Sequence, residues 1–148
     1  MAKIGMIGAG SWGIALSVLL HNNGHTVTVW SALEKEIEML NREHEQKEKL
    51  PGVKLPDDMC FKSDLQQAMD EKDILVLAVP SSFTRSTAHL MKAYAAQNQI
   101  IVNVAKGIEE ATLMTLSQVI EDEIPQADVA VLSGPSHAEE VGRGIPTT

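Results

Sequence analysis

Three groups of residues in this sequence have types and spacings that can do chemistry. The first is Gly8-Ala9-Gly10-Ser11-Trp12-Gly13, with G-x-G-x-x-G spacing. Gly8 permits a tight turn, Gly10 lets backbone approach a pyrophosphate, and Gly13 allows a helix to pack closely on a strand. A helix opening there would present free N–H groups and about half a positive charge to the phosphates. The second is Lys106, on the turn Lys106-Gly107, where an ammonium can stabilise negative charge developing on an oxygen. The third is Ser133-Gly134-Pro135-Ser136, with Ser136 placed as a helix cap and Glu139 three residues on at capping-box spacing. Each has a plainer reading: a glycine-rich turn without a ligand, a solvated lysine, a helix cap and nothing more.

The elements that must position these groups follow from the hydrophobic pattern. Strands are predicted over Lys3–Gly8, Thr26–Trp30, Met59–Lys62, Asp73–Val79, Ile100–Val104 and Asp128–Ser133, and Leu50–Asp58, with two prolines and a glycine, is a loop. Helices are predicted over Ser11–Asn23, Glu34–Lys47, Asp64–Met69, Ser81–Ala96, Thr112–Ile124 and Ser136–Arg143. The Asp73–Val79 run DILVLAV is apolar throughout and suits a strand buried on both faces. Alternating strands and helices imply an α/β fold of Rossmann type: a doubly wound, mainly parallel sheet with helices on both faces. The glycine motif then falls between the first strand and first helix. Val79, Val104 and Ser133 close strands four, five and six, at the carboxyl edge where such sheets bind ligands.

Composition narrows the partners. Hydrophobic residues make up 44% of the 148 and charged ones 22%, as in an ordinary globular domain, and with 3% aromatics the core must be Ile, Leu, Val, Met and Ala. The formal charge of −8 argues against nucleic acid or anionic membrane, but not against a phosphorylated small molecule held by backbone N–H groups. No apolar run reaches the ~18 residues that span a bilayer. The opening Met1-Ala2-Lys3-Ile4-Gly5 lacks a secretory pattern and Cys60 stands alone, so the expected location is cytoplasmic. His21, His25, His44 and His89 are scattered without ligand spacing, and no metal site is expected.

Selection between NAD and NADP stays open. The acid that commonly binds the ribose 2′-hydroxyl at the end of the second strand is missing from Trp30-Ser31-Ala32-Leu33, but no arginine replaces it, and the nearest cation is Lys35. The charged run Glu34–Lys49 reads as a solvated helix face.

Taken together with Val79-Pro80-Ser81, Lys106-Gly107-Ile108-Glu109 and Ser133-Gly134-Pro135-Ser136 followed by Ala138-Glu139-Glu140, the glycine motif resembles the NAD(P)-dependent glycerol-3-phosphate dehydrogenase family. The resemblance runs through the whole sequence. It implies interconversion of glycerol 3-phosphate and dihydroxyacetone phosphate by hydride transfer, in glycerophospholipid metabolism. By the same resemblance Gly8, Gly10, Ser11, Trp12, Gly13 and Ala138 serve the cofactor, Lys106 lies where nicotinamide and substrate meet, and Gly134 and Ser136 face the substrate. His137 stands where the family usually carries Phe. Phe83 either shields the nicotinamide or packs in the core; Arg85 either reaches a phosphate or is an exposed helix arginine.

The family's acid/base lysine belongs to a helical domain expected beyond Thr148, so residues 1–148 form the dinucleotide-binding domain and alone should lack significant activity. Exposed sheet edges should favour self-association, for example as a homodimer. Two other readings share part of these motifs: a different Rossmann dehydrogenase (6-phosphogluconate, 3-hydroxy acid or UDP-sugar type), and a non-catalytic nucleotide sensor.

Overall fold

The computed structural model describes residues 1–147; Thr148, the last of the Gly144–Thr148 stretch, lies outside them. Six strands form one sheet: β1 Lys3–Ile7, β2 Thr26–Trp30, β3 Cys60–Lys62, β4 Ile74–Leu77, β5 Ile100–Asn103 and β6 Asp128–Val131. Their spatial order is β3-β2-β1-β4-β5-β6, and every pairing is parallel. That is the doubly wound Rossmann arrangement, with the order reversing at β1 and β4.

Side-chain alternation divides the core between the two faces. Ile4, Met6, Val27, Val29 and Val76 point to one face, and meet Ile14, Leu16 and Val18 of α1 (Ser11–Asn22) and Ile37 and Leu40 of α2 (Glu34–Glu43). Ile7, Trp30, Leu75, Leu77 and Ile101 point to the other, against α3 (Leu65–Met69), α4 (Ser81–Met91) and α5 (Leu116–Glu123). Each large apolar side chain so buried contributes about 1.5–3 kcal/mol. β4 alternates between the two clusters, as its continuous apolar run requires. α6 (Ala138–Gly142) returns to pack on α1, burying Val141.

α2, α4, α5 and α6 are clearly shorter than the periodicity predicts, the first three for local reasons. α2 ends where His44 turns left-handed (φ 48°) and closes on the Leu40 carbonyl at 3.0 Å. α4 ends at Met91, whose carbonyl accepts from both Tyr94 and Ala95. α5 starts late because Glu109–Met114 forms its own turn, and Thr115 with Gln118 then makes a complete capping box. The capping box expected at Ser136 and Glu139 is not formed: α6 begins one residue later, with His137 at the cap position and no side-chain cap bond. α3 is capped by Asp64, its carboxylate accepting from Gln67 N–H at 2.9 Å.

Candidate nucleotide and substrate cleft

The phosphate loop is built by contacts that only glycine allows. Gly8 adopts φ 124°, and a Cβ there would lie 2.7 Å from the Ala78 carbonyl at the end of β4. A Cβ on Gly13 would lie 2.2 Å from the Gly8 carbonyl oxygen, so α1 reaches its packing distance only without a side chain. Gly10 differs: a Cβ would meet nothing within 4 Å. Its side of the loop is open, as needed where a pyrophosphate must touch backbone.

α1 begins there with Gly10 as its cap residue, no side-chain cap bond and no acid in its first turn. Among the described helices only α4, which starts at Ser81 after Pro80, shares this lack of both cap and acid. Both unpaired helix starts open on one cleft of about 380 Å³. Two sets of free N–H groups and two positive dipole ends therefore converge on a space within the usual range for small-molecule sites. A dinucleotide fits this donor set. The Trp12 indole N–H, buried at the cleft without a partner, is a further unused donor.

Six of the nine expected site residues line this cleft: Gly10, Ser11, Trp12, Lys106, Ser136 and Ala138. Gly8 and Gly13 lie beneath it and shape the loop. Gly134 instead lines two adjoining hollows, of about 490 and 220 Å³, which Lys106 also borders. The Lys106 ammonium donates to the Ser136 carbonyl oxygen at 3.3 Å, linking the β5 turn to the loop after β6. Lys106 is exposed and offers two further N–H donors.

The positions around the cleft resolve several open readings. Phe83 is 58% exposed on the first turn of α4, so it does not pack in the core. His137 lines the cleft beside Ala138. Arg85 is neither a free arginine nor available to a phosphate. It grips Glu109 bidentately (2.7 and 2.9 Å) and reaches Asp122 at 2.7 Å and Glu123 at 2.8 Å. Chiefly through Arg85, with help from Thr112, Glu109 is held at about 2; Glu123 is lowered by Arg85 and by His89. The network anchors the turn that carries Lys106, three residues before Glu109, to α4 and α5.

Sequence reasoning missed two features. Ser81 joins the cleft through the uncapped start of α4; Pro80 at a strand end, followed by a first turn without acids, was the available signal. Gln46, fully buried, donates to the Ala9 carbonyl of the phosphate loop at 2.8 Å and to Glu36 at 2.8 Å. The Glu34–Lys49 run is therefore not simply a solvated face: the Glu36 side chain is 8% exposed and turned inward. No signal at the level of charge pattern could reveal that.

Comparison with known proteins bears on the family and the fold. The family model described as "NAD-dependent glycerol-3-phosphate dehydrogenase N-terminus" matches residues 3–148. The chain belongs to this family. It is 64% identical over 148 residues to the glycerol-3-phosphate dehydrogenase [NAD(P)+] of Agathobacter rectalis, covering all of this chain and 44% of that one. Against the Fusobacterium nucleatum protein of the same name it is 56% identical, covering 100% and 45%. A crystal structure of glycerol-3-phosphate dehydrogenase from Coxiella burnetii superposes with TM-score 0.92 at 29% identity, over 99% of this chain and 45% of that one. The chain thus spans somewhat under half the length of the curated relatives it matches. Membership in this family removes the other Rossmann dehydrogenases as readings. No helix among the described residues is long and apolar enough to cross a membrane, and none of their His, Cys, Asp and Glu side chains cluster as a metal site.

Proposed function

We propose that this chain is the dinucleotide-binding domain of an NAD(P)-dependent glycerol-3-phosphate dehydrogenase. The observation that carries the reading is the single cleft onto which the uncapped starts of α1 and α4, Lys106 and Ser136 all open. In this reading Gly8, Gly10 and Gly13 shape the loop, and the N–H groups of Ser11, Trp12 and Gly13 hold the pyrophosphate. Trp12 and Ala138 line the nicotinamide side. A dinucleotide held there would supply the hydride acceptor for glycerol 3-phosphate, or the hydride donor for dihydroxyacetone phosphate. Lys106 then steadies the substrate oxygen on which charge develops, and Gly134 and Ser136 hold the substrate against it. The chain spans under half the length of its relatives, and in this reading the group that handles the proton belongs to the part of those proteins it does not span.

Calorimetric titration of the chain with NADH and with NADPH, at one fixed salt concentration, tests the central claim. Saturable binding of either supports it; a folded chain that binds neither in the millimolar range overturns it. Self-association, as a homodimer, belongs to the same reading. Its surface is the β6 edge, where Val131 and Leu132 are more than half exposed. A clean monomer in sedimentation at high concentration counts against that part.

A further inference from the structure

The end of β2 carries no acid of its own, but a carboxylate from α2, Glu36, is turned toward it. Ser31, directly after Trp30, is 5% exposed; its hydroxyl donates to a Glu36 carboxylate oxygen at 2.5 Å and accepts from the Leu33 N–H at 3.1 Å. The other Glu36 oxygen accepts from Gln46 at 2.8 Å and pairs with the Lys49 ammonium. The Gln46 nitrogen that holds Glu36 also donates to the Ala9 carbonyl oxygen, inside the glycine motif. The carboxylate is thus fixed between the end of β2 and the phosphate loop. In a doubly wound fold the ribose joined to a pyrophosphate over Gly10 is expected near the end of β2.

We infer that Glu36 sets the choice of dinucleotide at this site, favouring the free 2′-hydroxyl over the 2′-phosphate. The inference rests on the dinucleotide-binding reading above. A carboxylate has about four acceptor positions, and Ser31, Gln46 and Lys49 use three of them. The remaining one, on the oxygen bonded to Ser31, has no further donor among the described residues. The Ser31 hydroxyl has given its proton to Glu36 and keeps one lone pair. The pair therefore presents acceptors and no proton. That matches ribose hydroxyls, which donate, and opposes a phosphate, which only accepts and carries like charge. Lys49 is the one cation in the group, and its bond to Glu36 draws it away from any phosphate.

The test is the ratio of two affinities in the 148-residue chain, with folding checked by thermal melting. Wild type is expected to bind NADH more tightly than NADPH by about tenfold or more. Glu36→Gln keeps the shape, removes the charge and adds a donor, and should raise relative NADPH affinity by about tenfold. Lys49→Ala removes the compensating cation and should move the ratio the other way, which keeps the test decisive should Glu36→Gln fold poorly. A merely structural Glu36 would weaken both nucleotides together and leave their ratio fixed. Preference of the wild type for NADPH, or a ratio that neither variant moves, overturns the inference. Failure of a folded wild type to bind either nucleotide overturns the dinucleotide reading itself.

Discussion

On the β1–β2 side of the cleft, almost every group that shapes the phosphate loop is buried or pinned. Gly13 lies against Gly8, Gln46 holds Ala9 and Glu36, and Ser31 holds Glu36. The β5–β6 side is more open: Lys106 is exposed, Gly134 and Ser136 are half-buried, β6 is an edge strand, and Val131, Leu132, Ile108 and Leu113 are each more than half exposed. The two sides therefore differ in how far they are finished. The nucleotide side is preorganised by contacts within the chain, so it should bind without help. The other side leaves its polar groups exposed or half-buried.

The sharpest way to break this contrast is Gly13→Ala. With the Gly8 carbonyl 2.2 Å from the new Cβ, α1 must shift, costing about 3 kcal/mol in denaturant unfolding and abolishing nucleotide binding. Next is Gly10→Ala, where no atom lies within 4 Å and φ is −69°. Its stability should hold within about 0.5 kcal/mol, while affinity for NADH falls on the order of tenfold because the methyl sits where phosphate must touch backbone. Equal loss of stability in the two variants would erase the distinction between packing and binding glycines.

Gln46→Ala should come third, destabilising by about 2 kcal/mol, since it leaves the Ala9 carbonyl and the inward Glu36 without their shared donor. A smaller effect concerns acid. The Glu109 carboxyl sits at about 2 against an ordinary 4.5, so its contribution to stability is complete above roughly 4.5 and is lost as pH falls toward 2. Melting curves across that window should flatten in Arg85→Gln, with a loss of only a few degrees at neutral pH. Lys106→Ala should do least to the fold, leaving unfolding within about 0.5 kcal/mol of wild type. A large loss there would show that the open side is structural after all.

The two sides were also unequally legible in the sequence. The glycine spacing and the two-sided apolar run of β4 encode their surroundings locally, because steric demand and hydrophobic period are properties of neighbouring residues. The succession of elements, the doubly wound class and the loop were therefore readable. Glu36 and Arg85 were not, because a charged residue that turns inward carries the same local pattern as one facing water, and only its distant partners distinguish them. Ser31, Gln46 and Lys49 sit up to thirteen residues from Glu36, and Asp122 and Glu123 lie on another helix from Arg85. The cap expected at Ser136 failed for a related reason. Its spacing to Glu139 satisfied a local rule, yet the chain enters α6 one residue later, where the Ser136 carbonyl meets Lys106.

The two uncapped helix starts have a consequence for which substitutions matter. Recognition through backbone N–H groups cannot be deleted by changing a side chain, so the specification at Ser11, Trp12, Ser81 and Ser82 lies in what is left out: no capping oxygen, no acid. Deletion scanning by alanine would pass over such a code. The informative scan is the reverse one, adding Asp or Glu one position at a time, so that each introduced carboxylate competes from within for the place an incoming phosphate would take.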